Sequence, residues 1–146
     1  MAASLEERIQ RLEDIEAIKY LKAEAEIYAD RMDAEAFCTL LVEDCALIAV
    51  KQQHYGREAI KNNVKFWPFA VHYASNPKIE VNGDTAKGEW YLFMPHTNHE
   101  NGAMWAGAYY EDEYVKVDGE WKFKVIKLSP LFWSSYENGW AKEPVE

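Results

Sequence analysis

The stretch HYASNPKIEV (72–81), TAKGEWYLFMP (85–95), AMWAGAYYEDEYVKV (103–117), EWKFKVIKLSP (120–130) alternates rings and branched residues with polar ones over four successive segments. Such alternation predicts four long strands. Asn82-Gly83-Asp84 and Asp118-Gly119 are hairpin turn signals, and HTNHENG (96–102) reads as the loop joining the middle pair. Along TAKGEWYLFMP, alternation puts Trp90 and Leu92 on one face and Tyr91 and Phe93 on the other. One set faces a helix, the other a neighbouring subunit.

Upstream of this meander the period changes. Ser4 followed by Glu7 is a capping box, and Ile18, Leu21, Ala25, Tyr28 and Met32 then step by three and four along a long amphipathic helix. Asp33 reads as the N-cap of a second helix, AEAFCTLLVED (34–44), with Phe37, Leu40 and Leu41 inward. CALIAV (45–50) is a short apolar strand, and a polar loop through Gly56 leads to a third helix, REAIKNNVKFW (57–67), ended by Pro68. A helical first half followed by strands argues for an α+β fold. A cone-shaped, curved, mixed or antiparallel sheet wraps over the long N-terminal helix, with two shorter helices beside it. The cone's open mouth is a natural pocket. No linker or repeat divides residues 1–146, so one domain is expected.

The chain has 146 residues and a formal charge of −9. That balance disfavours nucleic acid and anionic membrane surfaces as partners. MAASLEERIQRLEDIEAI has no apolar signal-peptide core, and the expected location is the cytoplasm. Cys38 and Cys45 have neither disulfide-framework nor metal-site spacing and read as reduced, buried thiols. His96, His99 and Glu100 share one loop, which reads as a polar turn; no metal is expected, and His54 is expected to be exposed. Six Trp, nine Tyr and six Phe exceed what a core of this size needs. Some therefore line a cavity suited to a flat, hydrophobic ligand, and the candidates are Trp67, Phe69, Trp90, Phe93, Trp105, Tyr109 and Phe132.

DIEAIKYLKAEAEIYADRMD, GREAI, VHYASNPKIEVNGDTAKGEWYLF and YEDEYVKVDGEWKF together resemble the SnoaL-like branch of the nuclear-transport-factor-like superfamily, over essentially the whole chain. That branch includes scytalone dehydratase, hexachlorocyclohexane dehydrochlorinase, bile acid 7α-dehydratase and polyketide cyclases. In the eliminating members a His at the start of the strand after the third helix is the general base, and an Asp late in the first helix holds it. The resemblance assigns these roles to His72 and Asp30. Histidine titrates near neutrality, and a carboxylate on its other nitrogen fixes the tautomer. On an ideal helix Asp30 points away from the centre of the apolar stripe. Either the helix ends or bends near residue 29, or Asp30 is a solvated residue at the helix end.

Relatives carry Lys or Tyr five residues before the Asp, where this chain has Ala25. GEWYLF lacks scytalone dehydratase's second His, and KFKVIKLSP lacks the dehydrochlorinase's Arg. Tyr28 is the candidate replacement phenol, or else a core residue. The leading expectation is a cofactor-free lyase acting on a small aromatic or polycyclic molecule by dehydration or aldehyde-releasing carbon–carbon cleavage. An isomerase or cyclase using the same pocket, and a non-catalytic binding module or small subunit, are the alternatives. Homodimers or homotrimers are expected, with the tail LFWSSYENGWAKEPVE (131–146) either closing the mouth or packing on a neighbour.

Overall fold

Ser4 opens the first helix through a reciprocal cap. Its hydroxyl accepts from the Glu7 backbone N–H at 3.1 Å, and the Glu7 carboxylate accepts from the Ser4 N–H at 2.7 Å. The computed structural model describes residues 2–143, so the last three positions of the tail lie outside the described residues. Its elements are α1 (Leu5–Asp30), α2 (Ala34–Thr39), β1 (Leu41–Ala49), β2 (Gln52–Tyr55), α3 (Arg57–Asn63), β3 (Phe69–Ala70), β4 (Tyr73–Asn82), β5 (Thr85–Thr97), β6 (Ala103–Val117), β7 (Glu120–Ser135) and α4 (Gly139–Lys142).

The strands form one mixed sheet in the order β2-β1-β7-β6-β5-β3, with β4 also paired to β5. β1 and β7 run parallel and the other pairs antiparallel. The sheet curls around α1, giving the α+β cone. Ile18, Leu21 and Ala25 of the helix pack with Trp90, Leu92, Met94, Tyr114 and Phe123 of the sheet in one core. Farther up the helix, the Trp121 indole N–H donates to Asp14 at 2.9 Å and Lys116 pairs with the same carboxylate at 2.7 Å. No helix among the described residues is long and apolar enough to cross a membrane.

Four boundaries differ from the sequence pattern. Helix α2 stops at Thr39, because Leu41 pairs with β7 and Val42-Glu43-Asp44 is strand rather than helix, spanning an irregularity before the pairing resumes at Ala46. The polar run after β1 holds an edge strand, β2, whose polar residues carry no apolar alternation to reveal it. Helix α3 ends at Asn63 instead of Trp67, with Val64 extended. The Gln52 side chain fixes this extended segment through two 2.9 Å hydrogen bonds to the Lys65 backbone. His96 and Thr97 belong to β5, and β7 passes through Pro130 at a bulge opposite Ala108. Met32 leaves the apolar stripe altogether and stands exposed.

Gly88 lets the sheet close over its own polar interior. A Cβ there would lie 2.9 Å from Tyr114 Cε2, 3.0 Å from its hydroxyl and 3.1 Å from Trp90 Nε1. Gly88→Ala is therefore expected to destabilise the fold by about 1–3 kcal/mol through overpacking, measured as a lower midpoint in urea unfolding.

Candidate active site

Helix α1 ends in a Schellman turn. The Met32 N–H donates to Ala29 O at 3.0 Å, and the Asp33 N–H donates to Tyr28 O at 2.9 Å. Met32 takes the left-handed position at φ 55°, which glycine usually fills. The helix thus ends at Asp30, with Arg31 as its C-cap. The chain between β3 and β4 crosses this end, where the His72 backbone N–H donates to Asp30 Oδ1 at 3.1 Å and its ring Nδ1 lies 2.6 Å from the same oxygen. An ionised carboxylate only accepts, so Nδ1 carries the proton and Nε2 is left with a free lone pair.

His72 lines a cavity of about 110 Å³. Lys22, Glu26 and Tyr110 bring the other polar groups of that wall, while Leu92, Met94, Phe123, Ile126 and Leu128 supply apolar surface and Phe66, Trp67 and Trp133 supply rings. Ala25 is small and lines the cavity as well, so it contributes room. Glu26 Oε2 stands 4.0 Å from His72 Nε2 and accepts from the Tyr110 hydroxyl at 3.4 Å.

Burial pushes the His72 pKa down, but the Glu26 carboxylate and the Asp30 hydrogen bond outweigh it and hold the pKa above its ordinary value of 6.5. A histidine with a raised folded-state pKa stabilises the fold fully below its unfolded pKa. That contribution is lost as pH rises through the folded value.

Behind the cavity runs a buried polar chain. Lys22 Nζ lies 2.8 Å from Asp112 Oδ2 and 3.3 Å from Glu26 Oε1, and 3.1 Å from the centre of the Tyr110 ring. The Tyr114 hydroxyl donates to Asp112 Oδ2 at 3.1 Å, and the Trp90 indole N–H donates to that hydroxyl at 3.0 Å. Burial raises the Asp112 pKa, and the Lys22 ammonium offsets this only in part. Asp112 Oδ1 has no partner.

Of the seven rings expected around the pocket, Trp67 lines the cavity and the other six do not. Trp90 is core beneath Tyr114. Phe69 and Phe93 are exposed on the outer face, because strand alternation turns them away from α1. Trp105 stacks on Phe93 at 5.6 Å, and Tyr109 meets Tyr91 edge-on at 5.4 Å on the same face. Phe132 lies over Gly107, with Trp140 of α4 5.2 Å away. The tail therefore folds back along β7, and only Trp133 of it reaches the cavity. Tyr28 is half-buried outside the cavity, with its hydroxyl 3.5 Å from Glu24. The phenol on the wall is Tyr110.

His96 is buried on β5 and stacks on Trp67 at 4.5 Å. His54 is half-buried on β2 rather than exposed. No group of three metal-ligating side chains converges among the described residues. A larger open concavity, about 1000 Å³, lies between Leu41–Asp44, Arg57 and the β4–β5 and β6–β7 turns. Its rim mixes Glu and Lys and includes none of the groups around His72.

Lys22, Glu26, Tyr110 and Asp112 were not singled out by the sequence reading, yet a signal was present. Ile18, Lys22, Glu26 and Asp30 form one i, i+4 row beside the Leu21-Ala25-Ala29 row. Tyr110, Asp112 and Tyr114 occupy successive inward positions of β6. Removing the only cation in direct contact with Asp112 leaves an uncompensated buried charge. Lys22→Ala is expected to cost about 3–5 kcal/mol, with Asp112→Asn in the same chain recovering part of the loss in chemical unfolding.

Residues 10–127 match the model of the SnoaL-like domain family. A scytalone dehydratase-like protein from Novosphingobium aromaticivorans is 28% identical over 86% of this chain and 89% of its own, with a TM-score of 0.78. A type 2 hexachlorocyclohexane dehydrochlorinase superposes with a TM-score of 0.80 over 88% of this chain and 92% of its own, at 24% identity. A protein of the nuclear-transport-factor-like class from N. aromaticivorans gives 0.75 at 22% identity, covering 90% and 92%. The last two share the fold.

Proposed function

Because the chain belongs to the SnoaL-like domain family, we propose that it is a cofactor-independent lyase for a small aromatic substrate, with His72 as general base and Asp30 as its positioning residue. The observation that carries this reading is the 2.6 Å bond from His72 Nδ1 to Asp30, which leaves Nε2 as the basic atom of a residue lining the cavity. Nε2 takes a proton from the substrate, the electron pair forms the new double bond, and the leaving group departs. Asp30 then faces an imidazolium, which it stabilises. Carbon–carbon cleavage with aldehyde release uses the same base on a hydroxyl proton. The eliminating enzymes among the structural relatives support an elimination.

The space favours a single ring. At about 110 Å³ the cavity is smaller than the roughly 150 Å³ that an engineered apolar site offers to benzene. A cavity of this size, with Trp67 and Trp133 on its wall, suits a monocyclic aromatic better than a polycyclic one.

On a substrate that is turned over, His72→Ala is expected to lower kcat by about 10²–10⁴-fold. The base must be neutral, so the acid limb of kcat/KM rises with pH through a value above 6.5. Asp30→Asn removes the charge of one of the two carboxylates that raise the His72 pKa. Its acid limb therefore moves to lower pH while the maximum falls. Wild-type rates in both variants end this assignment, and a product of unchanged mass makes the enzyme an isomerase or cyclase.

The protein is also proposed to assemble as a homodimer or homotrimer through the outer face of β4–β6. There Tyr73, Phe93, Trp105 and Tyr136 form a stacked row with ring separations of 6.5, 5.6 and 5.5 Å. Burying such a row removes a large apolar patch from water. Phe93→Glu is expected to shift the mass in light scattering to that of a monomer, and a wild-type monomer at micromolar concentration rules the assembly out.

A further inference from the structure

Glu26 is the one carboxylate that lines the cavity beside the basic nitrogen of His72. It stands four residues before Asp30, on the same helical row, and its side chain is 10% exposed. Its two oxygens do different things. Oε1 faces Lys22 at 3.3 Å, while Oε2 accepts from Tyr110 and points toward His72 Nε2 across 4.0 Å. That gap is too long for a hydrogen bond and wide enough to hold a substrate hydroxyl within reach of both groups.

Lys22 and Tyr110 share the cavity wall with Glu26 and His72, and the other lysine of that wall, Lys65, is exposed. Asp30 holds the far side of the imidazole, and Asp112 sits behind the wall on Lys22. Glu26 and Asp30 together raise the pKa of His72 between them. A pair holding one proton can donate at one atom and accept at the other.

We propose that Glu26 is a second catalytic residue, the acid that protonates a departing hydroxyl while His72 takes the carbon-bound proton, so that the substrate is a monocyclic aromatic β-hydroxy carbonyl compound and the reaction a dehydration. This rests on the lyase reading above. In the step, Nε2 of His72 removes the proton alpha to the carbonyl and that C–H pair becomes the carbon–carbon double bond. The C–O bond breaks toward oxygen, which takes the Glu26 proton and leaves as water. The pair holds one proton before and one after, and transfer from His72 to Glu26 restores the starting form. A chloride leaving group needs no proton, so Glu26 distinguishes the two chemistries.

The test uses the aldol adduct of benzaldehyde and acetone, and the corresponding benzylic chloride. With wild-type protein, the hydroxyl compound is expected to give a bell-shaped kcat/KM profile, with one limb for the base and one for the acid. The chloride is expected to show the acid limb alone. Glu26→Gln is expected to lower kcat on the hydroxyl compound by about 10²–10⁴-fold and to change the chloride rate by less than ten-fold, whereas His72→Ala lowers both. In the same variant the His72 imidazole, followed by NMR, titrates at lower pH than in wild type. Identical pH profiles for the two compounds, equal losses in Glu26→Gln, or an unmoved His72 titration overturn the role of Glu26 and leave the lyase reading standing. Turnover of neither compound, with His72 and Asp30 intact, overturns both. The wild-type profiles need no variant and decide the matter even if Glu26→Gln does not fold.

Discussion

An ammonium group buried under a helix sets the terms for this molecule. Lys22 is 2% exposed and lies between Asp112, Glu26 and the face of Tyr110. A charge in that position is tolerable only where its partners are held at short range. It therefore fixes how α1 rotates and slides in the curved sheet. A rotation of one residue would take Lys22 off Asp112 and carry Glu26 and Asp30 away from His72 as well. The apolar stripe gives α1 its affinity for the sheet, and the ion pair gives the helix its register.

Register becomes chemistry at the C-terminal end of the same helix. The Schellman turn through Met32 stops α1 where the chain entering β4 passes, so one carboxylate takes both the backbone and ring N–H of His72. The backbone bond matters because it fixes the residue and not only the ring. A tautomer fixed on one side frees the other nitrogen, and that nitrogen belongs to a side chain on the cavity wall. Four residues of one helical row, Ile18, Lys22, Glu26 and Asp30, thus run from core through ion pair to the two carboxylates on either side of the His72 ring.

Much of this was legible in the sequence, for reasons that can be named. The capping box, the period of α1 and the alternation of β5 and β6 are local signals. They predict the helix, the sheet and the opposite faces of Trp90 and Phe93. The strand through Val42-Glu43-Asp44 was not legible, because these residues carry no apolar alternation and span an irregularity between the β7 pairings of Leu41 and Ala46. The early end of α3 depends on a glutamine twelve and more residues upstream, which no helix propensity records. Ring positions failed for a different reason. Composition shows that rings are in excess, but the face each one takes follows from strand register, and most of the excess lies on the outer surface. Asp30 was identified through its family resemblance, whereas the periodicity alone pointed it away from the core. In the structure Asp30 leaves the stripe, and its carboxylate meets His72 at the stripe's edge. The buried polar row was visible as charged residues interrupting an apolar helix face, a pattern that a search for hydrophobic periodicity passes over.

The missing companions of His72 also take on a different meaning. Ala25 leaves space in the cavity wall, and Glu26, the next residue, brings a carboxylate to the opposite side of the imidazole. A phenol is again present, now from Tyr110 on β6 rather than from the helix. In the proposed elimination, His72 and Asp30 supply the base and its orienting carboxylate, and Glu26 and Tyr110 are the groups that meet the leaving atom. In an elimination the base determines that a proton is lost, and the groups opposite it determine what else can leave. On the proposed reading, a small cavity with the Glu26 carboxylate, a phenol and a buried ammonium favours an oxygen leaving group that needs a proton, over a halide that departs without one. Specificity would then be carried by the row beside His72 more than by His72 itself.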